Sequence, residues 1–258
     1  PADGGRRHCA LTRDTVRRGI DGYSSPMTYE LHYWPSIQGR GEFVRLALEE
    51  AGEEYADVAR GPGGVDALMA ALKDAQTPSF APPFLRADGM TIGQTAAILM
   101  YIGERHGLAP QDTAGRIWTH QLQLTIADLV NEAHDSHHPV GNGLYYEDQQ
   151  EEARRRASEF TSARIPKFLK YFARVLGEKD YLLGADITYA DLSLFHVLEG
   201  LAYAFPKATG RALAKHPNLA ALRRRVAERP RVAAYLASPR RIPFNEEGIF
   251  RHYPELDS

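Results

Sequence analysis

From Tyr29 to Tyr33 apolar and polar side chains alternate, and a period of two predicts a short strand. The spacing then changes. Phe43, Val44, Ala47, Leu48 and Ala51 share one face of a helix from about Gly41 to Ala51, with Gly52 placed to cap its end. Alternation returns at Glu54 to Val58 as a second strand. Strand, helix and strand in that order make a βαβ unit, with parallel strands and a right-handed crossover. Beyond a Gly61-Pro62-Gly63-Gly64 loop, Val65 to Lys73 predicts a short helix. Phe84-Leu85-Arg86 and Met90-Thr91-Ile92 flank Asp88-Gly89 and predict an antiparallel hairpin. A helix from about Gln94 to Arg105 closes the unit.

From Thr113 onward the spacing is helical only. Ile117, Gln121, Leu124, Ala127 and Val130 trace one helix, and a second long pattern covers about Asp148 to Leu176. Thr188 opens a third, apolar helix as its cap, with Asp191 at the third helical position completing a capping box. Shorter helices follow at about Pro217 to Glu228 and Arg231 to Ala237. The expected fold class is α+β: a thioredoxin-like domain (βαβ-α-ββα) over residues 27–107, then an all-α helical-bundle domain over 113–241. The linker falls near Gly107 to Asp112, and residues 242–258 read as a C-terminal tail without a period. Residues 1–26, rich in Gly, Arg and Asp, read as a disordered extension ahead of Met27.

Composition narrows the function classes. The hydrophobic fraction is 43%, the charged fraction 25% and the net charge -2, an ordinary globular balance with no bias toward nucleic acid. No apolar run approaches the roughly 18 residues that span a bilayer. The single cysteine, Cys9, excludes an internal disulfide and CxxC chemistry and fits a cytoplasmic, reducing setting. Asp3, Asp14 and Asp21 argue against a transit peptide, and no apolar stretch supports a secretory signal.

Three features carry chemistry. Tyr33 ends the first strand, where open α/β sheets bind ligands, and the loop Trp34 to Gly41 follows with Arg40 in it. Pro82-Pro83 precedes a strand and suits a cis bond, although two prolines also fit an ordinary loop. Gly93-Gln94-Thr95 opens a helix whose free N–H groups attract carboxylates, although a plain cap reads the same way. A hydroxyl, a proline and a polar helix start fall together on one edge of a single fold.

With those residues in place, the segment from Met27 to Pro243 resembles a soluble glutathione transferase. Gly93-Gln94-Thr95-Ala96-Ala97-Ile98-Leu99 is similar to the family's Gln-Ser-Asn-Ala-Ile-Leu signature, and Asp186-Ile187-Thr188-Tyr189-Ala190-Asp191 to a segment of its helical domain. Tyr33 followed by Gly39-Arg40-Gly41-Glu42 resembles the tyrosine-dependent alpha, mu, pi and sigma classes. The resemblance implies an enzyme that conjugates the glutathione thiolate to small hydrophobic electrophiles, a detoxification chemistry, in a homodimer. Tyr33 would hydrogen-bond the sulfur, Arg40 supply positive charge, Pro82 offer its carbonyl, and Gln94 and Thr95 hold the γ-glutamyl end. An acid of the second domain would reach the neighbouring subunit's ligand: Asp135, with Asp128 and Glu132 as alternatives.

Departures from the family pattern leave alternatives. The loop after Tyr33 is one residue longer than usual, which admits Ser36 as the sulfur's partner. Ala81 stands where relatives carry a glutamine, and Pro82 has no N–H to give. His134-Asp135-Ser136-His137-His138 holds metal-type ligands but reads as a solvated helix end, so no metal is expected. Arg223-Arg224-Arg225 reads as a solvated face, and Tyr145, Tyr146, Phe244 and Phe250 border the electrophile or merely pack. A non-catalytic binding or scaffold protein, or glutathione-dependent peroxide reduction or isomerisation on the same fold, are the rival functions.

Overall fold

The alternating run forms β1 (Tyr29–His32) and the helical spacing forms α1 (Gly41–Ala51), which stops where Gly52 takes the left-handed conformation with φ 78. The computed structural model describes residues 29–73 and 76–257; the extension expected over 1–26 and Cys9 lie outside them. β2 (Tyr55–Asp57) lies parallel to β1, while β3 (Phe84–Ala87) and β4 (Met90–Gly93) form the expected hairpin. The sheet order is β2-β1-β3-β4, with β3 antiparallel to β1. Helix α2 (Gly64–Lys73) crosses from β2 to β3, and α3 (Thr95–Arg105) follows β4.

The helical half begins with α4 (Thr113–Asp135), capped by Asp112, whose carboxylate accepts from the Gly115 N–H at 2.8 Å. The pattern expected as one helix from Asp148 is broken. It resolves into α5 (Gln150–Glu159), a π-helical turn at Phe160–Arg164 and α6 (Ile165–Leu176). Pro166 has no N–H to continue the ladder, and Thr161 and Ser162 donate back to the Ala157 and Ser158 carbonyls at 2.8 and 2.6 Å. Local hydroxyl bonds and a proline thus outweigh an apolar period that runs straight through.

α7 (Tyr189–Ala204) is buried on nearly every side and packs against α1 and α4, so one apolar core runs from the sheet into the helical half. Its capping box forms as expected: Thr188 N–H and Oγ1 both donate to Asp191 Oδ2, at 2.8 and 2.7 Å. α8 (Pro206–Ala214), α9 (Pro217–Ala227) and α10 (Pro230–Leu236) complete the fold. No helix among the described residues is long and apolar enough to cross a membrane.

Residues 242–257 pack rather than trail. Phe250 lies so close over α7 that a Cβ at Gly200 would sit 2.2 Å from its ring. Asp257 accepts from the Lys207 and Ala208 N–H groups at 2.7 and 3.0 Å, capping α8 from outside its own sequence neighbourhood. These contacts are single side chains on irregular backbone, so they leave no period to read.

Candidate functional site

Sheet register builds the site. His32 pairs with Phe84, and Phe84 with Gly93. The residues next to them, Tyr33, Pro83 and Gln94, therefore stand side by side along one edge. The Pro82-Pro83 bond is cis. Gln94 holds φ 65, ψ 119, a positive φ that a residue with a Cβ rarely takes, and such strain gathers at binding sites. It turns the chain sharply from β4 into α3 and leaves the first N–H groups of that helix facing the edge.

Tyr33 is only 4% exposed. Its phenol oxygen accepts the Arg40 N–H at 2.9 Å, so the loop curls back over the ring. Gly39 and Gly41 make this possible: a Cβ on Gly39 would lie 2.1 Å from the Tyr33 hydroxyl, and one on Gly41 2.5 Å from the ring. Gly39 also has φ 43. Burial pushes the Tyr33 phenol above its ordinary range, only partly offset by the Arg40 N–H and the positive charges of Arg40 and Arg45. At neutral pH it stays protonated. Having accepted one hydrogen bond, it keeps its own proton to donate.

The Arg40 guanidinium donates to Asn131 Oδ1 at 2.7 Å, a contact that crosses from the loop to α4. Arg40, Gln94 and Thr95 line one cavity of about 390 Å³, walled on the α4 side by His120, Gln123, Leu124 and Asn131. Three buried polar atoms lack partners here: Thr95 Oγ1, His120 Nδ1 and Gln123 Oε1. Unpaired buried groups are costly. A polar ligand with donors and acceptors of its own would satisfy them.

Behind the site, α1 buries charge. Arg45 donates to Asp57 at 2.8 Å and lies 3.5 Å from Glu42, which accepts from Tyr235 at 2.9 Å and pairs with Arg241. Helical spacing would place these residues outward, but α10 covers them.

Not every expected residue converges. The Ser36 hydroxyl donates outward to Glu247 at 3.3 Å while its carbonyl accepts from Asn245 at 2.9 Å. Gln38 is likewise bonded to the Ile242 carbonyl. Asp135 ends α4 half-exposed, 3.8 Å from His134, outside the cavity. Glu132 is engaged by Arg164 at 2.6 and 2.8 Å. Asp128 is exposed, beside Asn131 in a neighbouring cleft.

The histidine segment corrects its reading as a solvated helix end. His137 and His138 are buried, with Nδ1 of each 2.5 Å apart, and His137 Nε2 donates to the Ile249 carbonyl at 2.8 Å. The incoming tail covers these rings. Burial lowers His134 to about 4 and His137 to about 3, so both are neutral at pH 7. No group of three or more metal-binding side chains is assembled among the described residues. Arg223 and Arg225 are ion-paired with Glu199 and Asp180. Of the aromatics, Phe250 and Tyr146 are packed inside, the latter stacked on Tyr253 at 3.9 Å. Phe244 is half-buried and Tyr145 stands out.

Asn131, His120 and Gln123 gave no sequence signal. Their part depends on how α4 meets α3, which no local pattern encodes.

Known proteins resemble this chain in sequence and in fold. The family model described as "Glutathione S-transferase, C-terminal domain" matches residues 134–239. Over 217 residues the chain is 25% identical to the glutathione S-transferase class-mu 26 kDa isozyme 7 of Fasciola hepatica, covering 84% of this chain and 91% of that one. It is 28% identical over 224 residues to glutathione S-transferase A1 of Mus musculus, covering 85% and 93%. The fold superposes on the pi-class glutathione S-transferase of Onchocerca volvulus with a TM-score of 0.64 at 22% identity, covering 81% of this chain and 91% of that one.

Proposed function

We propose that this chain, similar to the soluble glutathione transferases in sequence and in fold, is an enzyme that delivers the glutathione thiolate to a small hydrophobic electrophile. The observation that carries the reading is the hydrogen bond from Arg40 N–H to the Tyr33 hydroxyl, on the edge shared with the strained start of α3.

A free thiol titrates near about 8.5, and lowering that by about two units takes roughly 2.7 kcal/mol of preference for the thiolate. A hydrogen bond to a charged acceptor is worth about 1.5–3 kcal/mol, so one phenol of correct aim supplies most of it. Burial suits Tyr33 to this work, because a phenol that resists ionisation remains a donor. In this reading Arg40 adds positive charge, the Pro82 carbonyl takes the cysteinyl N–H, and Gln94, Thr95 and the α3 N–H groups hold the γ-glutamyl carboxylate. Ser36, tied to Glu247 and Asn245, fits the thiolate role less well.

The enzyme works as a cytoplasmic homodimer in this proposal. Ile117 and Leu124 on α4 and Met100 on α3 are large apolar side chains left exposed beside the cavity, as a partner surface requires. Of the acids named for reaching the partner's ligand, Asp128 fits better than Asp135, since it is exposed and stands beside Asn131, which holds the Arg40 guanidinium, while Asp135 lies beyond it at the end of α4. Loss of electrophiles to conjugation is the detoxifying outcome.

The test follows the ultraviolet thiolate absorbance of bound glutathione against pH. Tyr33→Phe should raise the apparent thiol pKa by about 1–2 units, as expected for one lost charged hydrogen bond, while Ser36→Ala leaves it unchanged. Absence of glutathione binding would sink the enzyme reading, and a shift in Ser36→Ala alone would move the role to Ser36.

A further inference from the structure

A second concavity lies on the helical half, away from the cavity of Arg40 and Thr95, with which it shares no lining residue. Lys167, Lys170 and Arg174 project from one face of α6, and Lys215 and His216 come from the turn between α8 and α9. Together they line a cleft of about 600 Å³. No carboxylate lines it, while Asp128 and Glu132 stand in the adjoining cleft that shares Lys167 and Tyr171, Glu132 being held there by Arg164. Asn218 fixes the two walls, donating to the Ala173 and Gly177 carbonyls at 2.9 and 3.1 Å.

Positive charge is concentrated in this cleft. The Arg223-Arg224-Arg225 run that stands out in the sequence is largely neutralised, with Glu199 and Asp180 as partners. None of Lys167, Lys170, Arg174 and Lys215 takes part in an ion pair among the described residues. Four like charges around one concavity repel each other and focus positive potential into it, in a chain whose net charge is -2. Tyr171 supplies a half-buried ring in the same cleft, with the Arg174 guanidinium 5.9 Å from its centroid.

We propose that this cleft binds a small aromatic polyanion, a planar ring carrying two or more phosphate or sulfate charges. The lysines and Arg174 neutralise the charged groups, Arg174 by a two-pronged contact, and the ring stacks on Tyr171. The volume suits a small molecule, and the four cations gather in one hollow and not along a groove a polymer could follow.

The probes are adenosine triphosphate, inorganic tripolyphosphate and adenosine, titrated calorimetrically without divalent cations into the full chain. Adenosine triphosphate should bind saturably, tripolyphosphate several-fold more weakly, and adenosine not at all. The Lys170→Glu/Arg174→Glu pair should weaken adenosine triphosphate at least about tenfold, and Tyr171→Ala should bring it down to the level of tripolyphosphate. Tyr33→Phe should leave it unchanged, as should Arg224→Glu, a charge change of the same sign outside the cleft. Conjugation rates measured without the probe should not change in the double variant. An aromatic disulfonate in place of adenosine triphosphate tells sulfate from phosphate preference. Lack of saturable binding below about 1 mM, or an equal loss in Arg224→Glu, overturns the proposal. Displacement of the probe by glutathione overturns it too, by placing the anion in the Arg40 cavity.

Discussion

Tyr33 fits its place because Gly39 and Gly41 leave room for it. Gly39→Ala would force a Cβ to within 2.1 Å of the hydroxyl at a residue whose φ is 43. Strain and overpacking together should cost about 2–4 kcal/mol of stability, read from urea unfolding, and should break the Arg40 N–H contact. A Gly39→Ala variant as stable as the parent would show that the ring is not held as described. The shape of this loop was legible because it is local: a strand end, a glycine-flanked arginine and a hydroxyl lie within ten residues. Asn131 was not, because only the docking of α4 brings it to Arg40. The burial of Glu42 and Arg45 has no local signal for the same reason, since the cover comes from α10 and from Arg241.

At the scale of elements, caps and hairpins read well and interruptions did not. The Asp88-Gly89 turn, Gly52 after α1 and the Thr188–Asp191 box are short motifs with fixed chemistry, and all form where expected. The π-helical turn and α8 leave no such signal, the first hidden inside a continuous apolar period, the second too weakly periodic to stand out. α8 takes its cap from Asp257, about fifty residues on. Asp257→Ala should therefore destabilise the protein by about 1 kcal/mol and raise amide exchange in the first turn of α8 before elsewhere. Uniform exchange across the helical half in that variant would count against a local cap.

For the whole molecule, acid is the sensitive axis. His134 and His137 are held to about 4 and about 3 in the folded state, against an ordinary value near 6.5. The unfolded chain binds these protons first, so stability is fully present above about 6.5 and falls as pH drops from there toward about 3. Urea midpoints at several pH values should show this decline, and His137→Gln should flatten it by up to about 1.4 kcal/mol per pH unit. An unchanged slope would mean that other groups govern acid unfolding. Assembly is open to a parallel test: Ile117→Glu with Leu124→Glu should yield monomers by sedimentation if those exposed side chains meet a partner. The tail that shields the histidines also ties down the loop beyond Tyr33, through Asn245 and Ile242. Trp34 stands on that loop, partly open to water, and the chain's other tryptophan is Trp118 on α4. With Trp118→Phe, the fluorescence of a single indole would report in real time whether occupancy of the site loosens or tightens the grip of the chain's last residues.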